Sequence, residues 1–346
     1  MTQRAFRSGW WVCAAAGACL AGLVLANEPS PKGVAPAIAT GSGDTAAADA
    51  KSSAASVTLR LDKAMVVGAS VSAGFMAQWN VTLPPPKGSP QGTPGRERMM
   101  PINLADVLGA MSADPSARPV SVATEWFFSS PEETARTQIG EVQKRGPELV
   151  FAIDYLFWRM YGLLLEDDPD QRMAWLEEGL SRLDSINVPM IVGDIPDMRH
   201  ADRMLVPMQV PSKETLARAN ERIRKWAGGR KNVVLVPLSE TVSGILGGKS
   251  VTFGGVEMDN ADARGLFTID GLHATPEGLA VIADDALWRL QQAGLLAKDA
   301  TWVRDRERAL ARMIPAERPT RQTRDRDARP NAKPNAAPEA SPSGAP

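Results

Sequence analysis

A chain of 346 residues with 39 Lys+Arg against 40 Asp+Glu has a formal net charge of −1, which gives no electrostatic reason to expect nucleic acid as a partner. Hydrophobic residues make up 44 %, enough for an ordinary globular core. The only two cysteines, Cys13 and Cys19, lie near the start, so the rest of the chain has no thiol nucleophile, disulfide or cysteine-held zinc.

Residues 1–26 read as an export signal. Arg4 and Arg7 form a short positive region, Trp10 to Leu25 is uncharged and largely apolar, and Val24-Leu25-Ala26 offers cleavage after Ala26. The rival is an uncleaved membrane anchor, but the apolar run is shorter than the roughly 20 residues of a spanning helix. A lipoprotein signal ending at Cys19 would need a large aliphatic residue that Ala16-Gly17-Ala18 does not supply. Residues 27–58, rich in Ala, Ser, Gly, Pro and Thr, show no hydrophobic period and predict a disordered linker. These features imply a periplasmic or secreted protein.

A folded domain is expected over residues 59–300. Ala64 to Gly68 reads as a buried strand, followed by a helix-compatible stretch to Trp79. Asn80 to Arg98, with Pro84-Pro85-Pro86, reads as a long loop at the rim of a site. Further strands are predicted at Val120 to Ala123, Leu149 to Ile153, Val188 to Val192 and Val233 to Val236. Helices are predicted at Pro131 to Lys144, Asp168 to Ile186, Ser212 to Ala227 and Pro276 to Ala293. Short continuous apolar strands alternating with helices predict an α/β fold whose parallel sheet is covered on both faces, with its site beyond the carboxyl ends of the strands. Residues 301–346, rich in Arg, Pro and Ala, read as a disordered tail, either a solubilising segment or a weak adhesive for anionic envelope polymers.

The two histidines, His200 and His273, narrow the search for a base that works near neutral pH. His273 lies in Asp270-Gly271-Leu272-His273, where a carboxylate three residues away on a tight turn can orient the imidazole. Thr275 and Pro276 then open a helix as cap and first residue. Ser70 follows the first strand in Gly68-Ala69-Ser70-Val71, where its hydroxyl would stand at the carboxyl edge of the sheet and nearby amides could hold an oxyanion. A plain helix cap at Ser70 is the bland alternative. His200 has no partner at a suitable spacing.

Together these blocks resemble the SGNH/GDSL hydrolase family. Gly68-Ala69-Ser70-Val71 is similar to its Gly-Asp-Ser-Leu block, with Ala69 in place of Asp, and Asp270-Gly271-Leu272-His273 is similar to its Asp-x-x-His block. The resemblance implies a three-layer flavodoxin-like fold with about five parallel strands and a cofactor-free, metal-free acyl-enzyme route. In that route Ser70 is the nucleophile, His273 the base and Asp270 the orienting carboxylate. Export suggests substrates such as acetylated glycans, peptidoglycan or lipids, and a small acyl group such as acetyl is implied by the resemblance alone.

Two departures stand out. The family's oxyanion glycine has no counterpart in Trp126-Phe127-Phe128-Ser129-Ser130-Pro131, where the Ser129 or Ser130 amide is the candidate donor beside that of Ser70. The family's Gly-x-Asn-Asp block reads Ala152-Ile153-Asp154-Tyr155, placing Asp154 where an asparagine would donate; an ionised carboxylate cannot donate. Protonation of Asp154 in a dry site, a substitute donor, or lost catalysis all remain open at this level. Trp126, Tyr155 and Asp194 are candidate substrate contacts. Catalytically impaired binding on the same fold, or acyl transfer by the same triad, are the alternatives to hydrolysis. Gly244 to Ser250 only loosely matches a phosphate loop, and Asp167, Asp168 and Asp170 suit a helix start better than calcium.

Overall fold

The computed structural model describes residues 61–115, 118–162 and 168–313. The export signal, the linker and the chain beyond residue 313 lie outside the described residues. A 3-10 turn, Leu61–Lys63, leads into β1 (Ala64–Val66) and the short helix α1 (Ser70–Ala73). A hairpin of β2 (Gln78–Leu83) and β3 (Arg96–Pro101) follows, then α2 (Leu104–Met111), β4 (Val120–Ser121) and a 3-10 turn at Glu125–Ser129. Next come α3 (Pro131–Arg145), β5 (Leu149–Ala152), α4 (Phe157–Met160), α5 (Pro169–Asp184), β6 (Met190–Gly193) and α6 (Lys213–Gly228). The described chain closes with β7 (Val233–Val236), α7 (Leu238–Leu246), the β8 (Val251–Phe253) and β9 (Val256–Met258) hairpin, α8 (Asn260–Arg264), α9 (Pro276–Gln292) and α10 (Arg306–Ala311).

Five strands form one sheet in the order β4-β1-β5-β6-β7, every pairing parallel. That order, compatible with a flavodoxin-like arrangement, reverses direction at β1: the chain goes to β4 on one side and then crosses to β5 on the other. The strands are too short and too buried to show polar alternation, because both faces are covered. Met65, Val67, Val150 and Val192 face a layer built from α3, α5 and α6. Ala64, Val66, Phe151 and Ile191 face the opposite layer of α2, α9 and α10. No helix among the described residues is long and apolar enough to cross a membrane.

Local chemistry sets most boundaries. Asp168 caps α5 through the amides of Asp170 and Gln171, Ser212 caps α6 through Thr215, and Thr275 caps α9 through Gly278. The helix expected to run to Trp79 instead stops at Gly74, which takes a left-handed conformation at φ 73°. A Cβ there would lie 1.6 Å from the Ile102 carbonyl oxygen, so the chain turns where only glycine fits. The expected rim loop is likewise a hairpin, with Trp79 paired to Met100 and Val81 to Arg98, and Val81 is buried in the core. The loosely phosphate-loop-like segment ends α7 rather than opening a helix.

The expectation of disorder from residue 301 is corrected over the described part. α10 packs Ala309 and Leu310 into the core with Met313, and Trp302 donates its indole N–H to Asp284 at 2.6 Å. Its charged residues hid this segment, because only its narrow apolar face meets α2 and α9. Leu310→Ala should therefore cost about 3 kcal/mol of stability by emptying a buried leucine site. A disordered segment would leave the denaturant midpoint unmoved.

Candidate active site

Ser70 stands just beyond β1, at the reversal of strand order. Gly68 makes the approach possible, with φ 143° and a Cβ position only 2.2 Å from Asp154 Oδ1. The buried Gln138 of α3 clamps this loop: its Oε1 accepts from Gly68 N at 2.9 Å, and its Nε2 donates to the Gly68 and Val122 carbonyls.

The loop before α9 brings the other two groups. Phe267 and Ala274 bridge antiparallel, and Thr268 N donates to the His273 carbonyl at 2.8 Å, closing a tight turn around Asp270. Asp270 Oδ1 accepts from Thr268 Oγ1 and from the amides of Leu272 and His273, leaving Oδ2 to meet His273 Nδ1 at 2.7 Å. A carboxylate only accepts, so Nδ1 carries the ring proton and Nε2 is left as an acceptor. Ser70 Oγ lies 2.9 Å from that Nε2. The structure thus brings together Ser70, His273 and Asp270, all buried, although 203 residues separate the first two. Burial alone would raise the Asp270 pKa, but the hydrogen bonds from Thr268, His273 and Leu272 outweigh it and hold the group at about 2.

That shift has a defined pH consequence. A carboxyl lowered from its ordinary value of 3.8 to about 2 stabilises the fold fully above its unfolded pKa. The contribution falls away as pH drops from near 4 through 2. Acid unfolding of Asp270→Asn should therefore be less steep in that window than that of the parent. Equal slopes in acid titrations followed by circular dichroism would contradict this.

Asp154 occupies a different role from the one expected of a donor. Its Oδ1 accepts from Ala69 N at 3.0 Å and Ser72 Oγ at 2.6 Å, and its Oδ2 accepts from Val71 N and Ser72 N. Both oxygens are therefore committed beneath the turn that carries Ser70, and the residue acts as a brace rather than as a hydrogen-bond donor. With those amides engaged, the Ser70 N–H is the amide of the turn that has no partner among the described residues.

No hydrogen bond joins Ser129 or Ser130 to Ser70 among the described residues, although the 3-10 turn Glu125–Ser129 packs against α1. Both serines are exposed; the Ser129 hydroxyl donates to Trp126 O, and Ser129 lines a separate cleft with Arg159 and Trp175. The chain also runs beside the Ser70 loop earlier, where Val122 N and Thr124 N donate to the Val66 and Gly68 carbonyls. Tyr155 is fully buried, edge-on to Phe127, and burial pushes its phenol upward; it belongs to the core, not to a cleft. Trp126 lies on the surface, 62 % exposed, beside Phe128. Asp194 lines the same cavity as Ser70, but its carboxylate accepts from the Ser239 amide and hydroxyl. Burial raises the Asp194 pKa, only partly offset by those two bonds.

Residues missed in the sequence complete the setting. Phe75 packs its ring on His273 at a centroid distance of 4.7 Å. His200, read as a possible rival base, instead uses Nε2 to donate to the Gly271 carbonyl at 3.0 Å and braces the turn from outside. Gln138 did leave a trace, being the polar member of the otherwise apolar set Ala135, Ile139 and Val142 on the buried face of α3. Asp168, weighed as a calcium ligand, is spent on capping α5, and Asp170 pairs with Arg218. No group of three or more His, Cys, Asp or Glu among the described residues could hold a metal ion.

No family model matches the chain, and no curated protein matches it.

Proposed function

We propose that this chain is a serine ester hydrolase of the SGNH/GDSL type, exported and acting on acyl esters of envelope glycans or lipids. The observation that carries the reading is the hydrogen-bonded run from Ser70 Oγ through His273 to Asp270 at the carboxyl edge of a parallel sheet. The reading is supported further by the strand order, by the short motifs at both ends of the domain, and by the unpartnered Ser70 amide.

In this reading Ser70 Oγ attacks the ester carbonyl carbon while its proton passes to His273 Nε2. Asp270 stabilises the imidazolium and keeps the proton on Nδ1. The Ser70 N–H faces the developing oxyanion. His273 then gives its Nε2 proton to the departing alkoxide, leaving an acyl-serine. Water attacks the acyl carbon next, losing a proton to His273, which hands it to Ser70 Oγ as the acyl–oxygen bond breaks and the acid leaves. Transfer to a sugar hydroxyl instead of water would use the same groups, and product analysis with an added glycan acceptor separates the two.

The test is labelling of the folded protein with a fluorophosphonate, followed by peptide mass spectrometry. An adduct on Ser70 that disappears in His273→Ala is expected. A folded protein that takes no label would instead fit a non-catalytic binding role.

A further inference from the structure

A cavity of about 100 Å³ opens beside Ser70. It runs from Ser70 and Val71 across the ends of β5 and β6 and between α7 and α9. Its walls include Phe157, Met198, Val242, Ile245, Phe267 and Ile282. Two carboxylates border it, but neither is available to a ligand: Asp154 is bound to the α1 amides and Asp194 to Ser239. What remains is an apolar chamber whose one reactive neighbour is the Ser70 hydroxyl.

Resting on the hydrolase reading, we propose that this chamber receives the acyl chain of the ester and selects chains of about four to six carbons. The size argument is direct. An apolar cavity of about 150 Å³ holds a benzene molecule, six carbons, without water. A chamber two-thirds that size takes about four, and the carbonyl carbon and its neighbour sit outside at Ser70. Acetyl would leave the chamber empty, so no apolar surface would be buried in the transition state. A chain of twelve or more carbons would have to leave it. Each methylene that enters should raise kcat/KM about fourfold.

The experiment measures kcat/KM for p-nitrophenyl acetate, butyrate, hexanoate, octanoate, laurate and palmitate. A rise from acetate to a maximum at butyrate or hexanoate, then a fall, is expected. A maximum at acetate, a flat profile or a maximum at palmitate overturns the proposal. Val242→Phe should lower the hexanoate-to-acetate ratio about tenfold by filling the chamber; Thr241→Phe, at a half-buried neighbouring position, serves if the first variant does not fold. An unchanged ratio in a folded variant counts against the chamber.

Calorimetric titration of Ser70→Ala with hexanamide and acetamide makes the test independent of turnover. Hexanamide is expected to bind with a negative heat-capacity change and acetamide not to bind. Binding of hexanamide by a protein that never labels at Ser70 would sink the hydrolase reading and keep the acyl site. No hexanamide binding in folded Ser70→Ala would sink the acyl site, whatever the labelling shows.

Discussion

On the hydrolase reading, Asp270→Asn should lower kcat by about 10,000-fold while the protein stays folded. The amide oxygen can keep the Oδ1 position and continue to accept from Thr268 Oγ1 and the Leu272 and His273 amides. The amide nitrogen then faces His273 Nδ1, where the carboxylate had accepted. A donor there forces Nδ1 to accept and moves the ring proton to Nε2. Nε2–H now points at Ser70 Oγ and cannot take its proton. The nucleophile is lost through a tautomer, not through displacement. Hydrolysis of p-nitrophenyl butyrate, read together with a thermal melt, checks this. A decrease under tenfold in a folded variant would mean that Asp270 is not the group orienting the base.

Asp154→Ala should destabilise the domain by at least about 3 kcal/mol, because three backbone amides and the Ser72 hydroxyl lose their shared acceptor in a buried place. Asp154→Asn separates the two roles this position could have. A single amide oxygen can replace one carboxylate oxygen, but the amide nitrogen would then confront either the Val71 and Ser72 amides or the Ala69 amide and Ser72 hydroxyl. The expected result is a loss of about 2 kcal/mol and lower, not higher, turnover. Guanidinium unfolding gives the stability and ester hydrolysis the rate. Were Asp154 an oxyanion contact blocked by its charge, the asparagine would raise kcat instead.

Much of the frame was legible because it is local. The five sheet strands are short apolar runs, and the caps Asp168, Ser212 and Thr275 sit a few residues from the amides they satisfy. Asp270 and His273 could be paired from sequence for the same reason: three residues on one turn cannot be far apart. Segments with mixed signals were not legible. The β2–β3 hairpin is mostly exposed and carries charges, and α10 shows only a narrow apolar face.

What the sequence by itself determined is the alternation of strands and helices, the chemistry of each side chain, and the Asp270–His273 pair. The sequence also pointed to Ser70 through its place after the first strand, but only the tertiary structure shows it meeting that pair, with the end of β1 beside the loop before α9. It also decided the role of Asp154. A carboxylate can only accept when ionised, which its type already said, but whether it meets an oxyanion or the turn that carries Ser70 depends on the path of the backbone around Gly68. Likewise, Val242, Phe267 and Ile282 are ordinary apolar residues in the sequence, and only packing leaves a chamber among them beside a hydroxyl. Periodicity and capping act over a few residues, whereas register, burial and cavity shape arise from contacts between segments distant along the chain.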